Sequence, residues 1–223
     1  MNISTKELFD LTKSISAPLL SDCEYPWEAL PKIKSFILEL GPQLNKNEYD
    51  YIGNDIWIGK NVTIDPSAVI RGPAIIGSDT EIRPSAFIRG SVIIGHGCVI
   101  GNSCELKNAI IFDKVQIPHF NYIGDSILGF SSHTGAGAIT SNVKSDRSLV
   151  TVKNGDEKIC TGLKKFGAML GDYVEIGCNS VLNPGTIIGK NTNVYPLSSV
   201  RGTVPPNSIY KSSDKIVEKR KIN

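Results

Sequence analysis

Residues 56–109 read IWIGKN VTIDPS AVIRGP AIIGSD TEIRPS AFIRGS VIIGHG CVIGNS CELKNA, which is nine units of six residues. The third residue of every unit is a large aliphatic, and the first is mostly small or β-branched. A helix would need apolar residues at spacings of three and four, which this stretch lacks. Turn residues interrupt almost every unit, so one long strand is also excluded. The period therefore predicts short strands that turn every six residues and stack as a β-solenoid.

This stretch resembles the hexapeptide-repeat proteins, in which three units form one triangular coil. Residues 18 apart should then lie on neighbouring strands, about 4.8 Å from each other. One coil cannot bury its own apolar side chains, so several coils must stack. The resemblance implies a mainly β fold, a left-handed parallel β-helix of hexapeptide repeats.

The rest of the chain is organised around this repeat. Residues 1–50 lack it, and we predict that they form a small N-terminal helical cap on the open end of the solenoid, or else a docking surface. The β-helix domain is expected over residues 51–206. A loop excursion is predicted at residues 143–165, with a hairpin-like turn at 154–156, where the repeat is lost. Residues 207–223 are predicted to be a C-terminal tail, with a short helix at 213–219.

Helix signals occur twice in the N-terminal segment. Ser4 and Glu7 match a capping box, and Pro18 is expected to end the helix that follows. A second helix is expected to start at Pro31 and to stop at Gly41. The segment should therefore contribute two helices to the cap.

Composition limits the function classes. The formal net charge is only +2, and the Lys-rich C-terminal end is interpreted as a solvated tail, so no nucleic acid partner is expected. The N-terminus lacks a signal pattern and no apolar run approaches about 18 residues, so no membrane association is expected. The five cysteines do not cluster, which favours a reducing, cytoplasmic localisation.

Four polar residues near the end of the regular repeat suggest chemistry. Arg89 and Lys107 are 18 apart, and two stacked cations are suited to a phosphate, although a solvated basic edge is the alternative. Glu105 has the same outward parity as Lys107, and His119 follows 14 residues later. A carboxylate that reaches an imidazole fixes its tautomer, whereas a lone histidine is often structural.

The segment GNSCELKNAIIFDKVQIPHFNYIGDSILG (residues 101–129), followed by GAGAITSN (residues 135–142), resembles a known enzyme family. It is similar to the acetyltransferase domain of the bifunctional glucosamine-1-phosphate N-acetyltransferase/UDP-N-acetylglucosamine pyrophosphorylases. That family carries GNFVE-K, GHLTYLGD and GAGTITCN at the same intervals. The resemblance covers roughly residues 56–205 and implies an acetyl-CoA-dependent N-acetyltransferase of amino-sugar phosphates, in UDP-N-acetylglucosamine and cell-wall precursor metabolism. It also implies a homotrimer.

The resemblance implies catalytic roles for three residues. His119 would be the general base that takes the proton of the substrate amine, and Glu105 would orient it. Asn142 would contact the amino sugar or the developing oxyanion. Acetyl-CoA would be the co-substrate, and no metal would be required for acetyl transfer.

Binding roles follow from the same resemblance. The sugar phosphate would be held by Arg89, Lys107 and Tyr122. His133 replaces an asparagine that contacts the sugar in the family. Around acetyl-CoA, the family implies a backbone contact at Ala136, and Cys178 replaces a serine near the thioester. These two replacements are departures from the pattern in the sugar and thioester sites.

Other functions remain as alternatives. One is a non-catalytic scaffold that binds a sugar phosphate without turnover. Another is a carbonic-anhydrase-like zinc hydratase that would use His96, His119 and His133 as ligands. Uridyltransferase activity is not expected, because no Gly-rich nucleotide loop of that type precedes the repeats.

Overall fold

The computed structural model describes residues 1–220, and they form a left-handed parallel β-helix of about nine turns with few helices. This confirms the mainly β solenoid that the six-residue period predicts. No helix in the described part of the chain is long and apolar enough to cross a membrane. The helices are α1 (Thr5–Leu8), α2 (Ala17–Ser21) and α3 (Ile33–Leu40), with 3-10 helices at Leu11–Lys13, Pro26–Lys32 and Gly41–Gln43.

The strands are short and follow each other at the spacing of the repeat. In chain order they are β1 (Tyr49–Tyr51), β2 (Ile56–Gly59), β3 (Thr63–Ile64), β4 (Val69–Ile70), β5 (Ala74–Ile76), β6 (Glu81–Ile82), β7 (Phe87–Ile88), β8 (Val92–Ile94), β9 (Val99–Asn102), β10 (Glu105–Ile111), β11 (Gln116–His119), β12 (Tyr122–Leu128), β13 (His133–Thr134), β14 (Ile139–Thr140), β15 (Thr151–Asn154), β16 (Glu157–Cys160), β17 (Ala168–Leu170), β18 (Glu175–Ile176), β19 (Val181–Leu182), β20 (Thr186–Ile188), β21 (Asn193–Val194), β22 (Ser199–Val200), β23 (Thr203–Val204), β24 (Ser208–Ser212) and β25 (Lys215–Glu218).

Parallel pairing arranges these strands into three faces of a prism. The covered face contains β2, β5, β8, β10, β12, β17, β20 and β23. The open face contains β4, β7, β10, β12, β14, β19 and β22, and the third face runs from β3 to β24. The seven-residue strands β10 and β12 bend around a corner, so that each belongs to both the covered face and the open face.

The covered face is buried on both sides. Its outward side chains would be solvent-exposed in a bare solenoid, yet they are fully buried. The N-terminal segment lies over them: α3 contacts β8 and β10, and the 3-10 helix Pro26–Lys32 contacts β12. Trp27 stacks at 5.7 Å against Phe166, and Phe9 at 5.1 Å against Phe112. The buried outward residues are Ile75, Ile93, Ile110, Ile127, Met169 and Ile187.

The helical segment thus lies along the side of the prism, whereas the sequence analysis expects it at the open end. The reason is the row of apolar outward residues on the covered face, which needs cover as much as the end does. A buried carboxylate fixes the segment there. Asp172 accepts hydrogen bonds from the N–H groups of Asp10 (2.8 Å) and Phe130 (2.9 Å), and its other partner is Lys190 at 3.0 Å.

The two N-terminal helix predictions have different outcomes. The second helix is confirmed as α3, which Gly41 terminates. The first is wrong in its extent, because α1 ends at Leu8 and Pro18 lies in the first turn of α2 instead of ending a helix. Ser4 precedes α1, but its side chain makes no capping hydrogen bond. Proline fits the first turn of a helix, where its missing N–H has no partner to lose.

The loop excursion folds back onto its own solenoid. It leaves the corner after Asn142 and forms the antiparallel hairpin β15–β16, whose turn lies at the predicted residues 154–156. Val150 and Val152 are fully buried, so this hairpin is packed against the prism. The side chain of Asn154 also binds the carbonyl oxygen of Met1 (2.9 Å), which joins the excursion to the N-terminus.

The predicted C-terminal helix at residues 213–219 is wrong. These residues contain β25, which pairs antiparallel with β24 at the end of the third face. The last coil of a solenoid presents unpaired backbone groups, and a hairpin satisfies them where a helix could not. Residues 221–223 of the predicted tail lie outside the described residues.

Candidate functional site

The register of the open face brings the predicted cations together. Phe87 pairs with Glu105, and Ile88 pairs with Leu106, so that Arg89 and Lys107 occupy equivalent positions on adjacent coils. Tyr122 follows on the next coil, opposite Glu105. The spacing from β10 to β12 is 17 residues instead of 18, because the turn between them is one residue shorter.

The carboxylate of Glu105 binds Arg89, and the contact expected with His119 is absent. An ion pair joins Arg89 Nη1 to Glu105 Oε1 on the partly exposed surface. The hydrogen bond to this carboxylate raises the pKa of Arg89. Within residues 1–220 the His119 imidazole makes no hydrogen bond, although the backbone of His119 is bonded to Asn121 (3.2 Å) and Gly137 (3.0 Å). The exposed His119 lies at the corner where the third face meets the open face.

Asp125 is the functional residue that sequence reasoning missed. Its side chain is only 4% exposed, and it accepts from Lys107 Nζ at 3.0 Å and from Asn108 Nδ2 at 2.9 Å. Asn142 Nδ2 donates to its second oxygen. We explained this aspartate only as a turn residue, and its backbone does have a positive φ of 48°. The signal was available, because Asp125 is the last residue of the H-x-x-Y-I-G-D motif.

Tyr122 joins the same network. The amide of Asn142 donates to the Tyr122 hydroxyl at 3.2 Å, so the phenol keeps its own proton available for a ligand. Burial, followed by the nearby charge of Asp125, raises the pKa of Tyr122 above its ordinary value. A neutral hydroxyl, an amide and an ammonium group are therefore held around one buried carboxylate.

Three turns stack along the corner that carries His119. The carbonyl oxygen of His119 accepts from Gly137 N–H, and the carbonyl oxygen of Ala136 accepts from Asn179 N–H at 2.8 Å. Cys178 is exposed in the last of these turns. A Cβ atom at Gly135 would lie 2.6 Å from Cys178 N, so this close approach of two turns requires glycine. His119, Ala136 and Cys178 are thus arranged on successive coils.

His133 is separated from the open-face group. It lies on β13 of the third face, where its Nδ1 is 2.8 Å from Glu175 Oε2. Within one chain it therefore does not share the open face with Lys107 and Tyr122. Nor does it form a metal cluster: within residues 1–220, no group of three or more His, Cys, Asp or Glu side chains could hold a metal ion.

Comparisons with known proteins agree with this fold. The family model described as the GMPPB C-terminal domain matches residues 70–213. A bifunctional GlmU protein of Methanococcus maripaludis (strain C7) is 38% identical over 208 residues, which cover 90% of this chain and 49% of that protein. The chain spans about half the length, or less, of the first bifunctional relatives that it matches.

A relative of similar length also matches. The putative acetyltransferase YaiX of Escherichia coli K12 is 35% identical over 156 residues, which cover 70% of this chain and 68% of that protein. A solved structure of AntD, an N-acyltransferase from Bacillus cereus in complex with coenzyme A and a dTDP-linked amino sugar, aligns with a TM-score of 0.41 and 20% identity, covering 80% of this chain and 93% of that one. On the match to residues 70–213 and the similarity to the two curated relatives, the chain belongs to the family of the GMPPB C-terminal domain and is a hexapeptide-repeat homologue of the GlmU acetyltransferase domain.

Proposed function

We propose that the protein is an acetyl-CoA-dependent N-acetyltransferase that acts on an amino-sugar phosphate of the glucosamine-1-phosphate type. One observation carries the proposal: two cations, a neutral tyrosine and an amide share the open face, beside an exposed histidine at its corner. The names of the curated relatives, which include acetyltransferases, support the reaction class. The product would supply UDP-N-acetylglucosamine synthesis in the cytoplasm.

The phosphate of the acceptor would bind at Arg89 and Lys107. A guanidinium offers a planar fork of donors and an ammonium a mobile point charge, so together they can contact several phosphate oxygens. Asp125 keeps the Lys107 ammonium charged and in place, because an ion pair at 3.0 Å on a buried carboxylate favours the protonated amine. Tyr122 would donate its hydroxyl proton to the sugar phosphate.

In the proposed reaction, His119 acts as the general base. The neutral amine of the sugar attacks the thioester carbonyl of acetyl-CoA, so that a C–N bond forms and an oxyanion develops. His119 accepts the amine proton, since imidazole is the side chain suited to proton transfer near neutral pH. The C–S bond then breaks, and the departing coenzyme A thiolate takes the proton from His119. Asn142 is proposed to donate to the sugar or to the oxyanion.

Acetyl-CoA would lie along the corner that carries His119. In the described residues the N–H group of Ala136 makes no hydrogen bond, so it is available to a carbonyl oxygen of the pantetheine arm. Cys178, one coil further, would line the same groove near the thioester. The donor and the acceptor would then approach His119 from two sides of one corner.

The active site is proposed to lie between the chains of a homotrimer. Phe120 and Leu197 protrude at the corner of His119 with 60% and 80% of their surface exposed, and a second copy of the chain would cover them. The second copy could also supply the orienting group that His119 lacks within one chain. Light scattering should give the mass of a trimer for the wild type and a smaller mass for Leu197→Asp. A wild-type monomer would contradict this proposal.

The test of the function is thiol release from acetyl-CoA with a panel of amino-sugar phosphates. His119→Ala should lower kcat by about 10² to 10⁴, the usual contribution of a general base. The matched control is His96→Ala, which removes an exposed imidazole that only accepts from Ser78 N–H (3.0 Å). Full activity in His119→Ala would refute the assignment of the base.

The second candidate is a scaffold that binds the sugar phosphate without turnover. It is favoured by one observation, the pairing of Glu105 with Arg89, which leaves His119 without an orienting partner inside the chain. Calorimetric binding of glucosamine-1-phosphate with no thiol release under any condition would support the scaffold and exclude the enzyme.

A further inference from the structure

The open face carries a second pair of guanidinium groups beyond the site described above. Val69 pairs with Phe87 and Ile70 with Ile88, so Arg71 lies one coil before Arg89 in the same column. The guanidinium of Arg71 is 5.2 Å from the centre of the Phe87 ring, and that of Arg89 is 6.0 Å from it. One aromatic ring therefore holds both cations at a fixed separation.

The charges along this column are not balanced at one end. Arg89 is paired with Glu105, and Lys107 is paired with Asp125. No carboxylate in residues 1–220 lies within ion-pair distance of Arg71, which is exposed. Like charges on neighbouring strands destabilise a sheet unless an anion lies between them. The column is thus prepared for an additional negative charge near Arg71.

The order of the column gives the ligand a direction. His119 precedes Tyr122 on one coil, and the next coils toward the N-terminal end carry Lys107, Arg89 and Arg71 in turn. Each step is one strand spacing, about 4.8 Å. A sugar whose amine lies at His119 would extend its first phosphate to Lys107 and Arg89. A second phosphate bonded to the first would then reach Arg89 and Arg71.

We propose that Arg71, with Phe87 and Arg89, forms a second phosphate subsite, and that the acceptor is an amino sugar linked through a diphosphate. This inference rests on the proposed function, since it uses the same open face for the sugar. The diphosphate has two possible sources, a nucleoside diphosphate sugar or a lipid-linked diphosphate sugar. The chemistry that Arg71 recognises, a second phosphoryl group, is the same in both.

The first experiment measures binding by calorimetry and needs no turnover. The probes are inorganic phosphate and inorganic pyrophosphate, and the wild type should bind pyrophosphate about tenfold more tightly, because one charge-assisted contact is added. Arg71→Gln should abolish this preference. Arg201→Gln is the matched control, because Arg201 is an exposed arginine at the same repeat position, beyond the excursion. An unchanged preference in Arg71→Gln would overturn the proposal.

A second variant separates charge from positioning. Phe87→Leu keeps an apolar side chain under both guanidinium groups but removes the ring that attracts them. It should weaken pyrophosphate binding several-fold and leave phosphate binding at Arg89 and Lys107 nearly unchanged. An equal loss for both probes would show that Phe87 only supports the fold, and would overturn its role in the subsite.

Two further probes identify the source of the diphosphate. UDP binding more tightly than pyrophosphate supports a nucleotide-linked acceptor, and farnesyl diphosphate doing so supports a lipid-linked one. If neither organic diphosphate binds, the preference for pyrophosphate reflects an adventitious ion only and the proposal is overturned. Failure of the proposed function is distinguishable from this result, since it is the absence of thiol release while the Arg71-dependent binding persists.

Discussion

The covered face and the open face are built from the same two strands, β10 and β12, yet they have opposite surfaces. The second half of β10, Ala109–Ile111, presents Ile110 outward and is fully buried under α3. The first half, which contains Glu105 and Lys107, presents polar side chains to solvent and to one another. Only a corner turn separates the two environments.

The difference teaches how a regular solenoid acquires a site. Backbone pairing is equally regular on both faces, so it cannot decide which one is functional. The decision lies in the outward side chains, which are apolar where the N-terminal segment packs and ionic where it does not. The covered face stabilises the prism and leaves the open face free to hold groups that a folding core would exclude.

The largest expected effect is on stability, from a charge placed on the covered face. Ile110→Asp should lower the free energy of unfolding by about 4 kcal/mol or more, because an unpaired carboxylate would be buried beneath α3. Val181→Asp is the matched control: it also points outward from a strand, but on the open face and 37% exposed. Urea unfolding should give the control a change within about 0.5 kcal/mol. Equal losses would contradict the division between the two faces.

The second effect compares two buried carboxylates at different corners, Asp125 and Asp172. Each is almost fully buried and paired with a lysine. Asp125→Asn and Asp172→Asn should each cost roughly 2 kcal/mol of stability, because a charge-assisted network loses its anion. Only Asp125→Asn should raise the KM for the sugar phosphate, since only Asp125 holds Lys107 and Asn142.

For Asp172→Asn the expected readout is local. The carboxylate clamps the N–H of Asp10, so proteolysis and hydrogen exchange of residues 1–44 should speed up. Measured side by side with acceptor KM, the two variants separate a clamp on the covering segment from a positioning residue of the site. A raised KM in both variants would mean that the two faces are coupled.

The smallest effect concerns the interior that both faces share. Burial raises the pKa of Cys98 from 9.0 to about 12, so the folded state holds the thiol proton more tightly than the unfolded state does. Its contribution to stability is complete below pH 9 and is lost as the pH rises toward 12. At pH 9 the loss should be about 0.4 kcal/mol relative to pH 7. Cys98→Ala should flatten this pH dependence in urea unfolding, whereas substitution of the exposed Cys160 should not.

Part of the site followed from spacing. The interval of 18 residues predicted that Arg89 and Lys107 would lie on adjacent coils, because coil length converts directly into strand register. The interval between Glu105 and His119 could not be converted in the same way, since the two residues lie on either side of a corner. Glu105 has a nearer partner in Arg89, and that competition is visible only when both side chains are placed.

By itself the sequence determined the solenoid, the phase of its core and the segment where the repeat breaks, since a six-residue period allows one set of inward positions. Tertiary structure alone decided where the N-terminal helices pack, that residues 213–219 form a strand, and that Asp125 is the centre of the polar network. These depend on which surfaces remain uncovered after the coils have stacked. A local pattern carries no information about a partner more than one coil away, and Asp172 meets Asp10 across 162 residues.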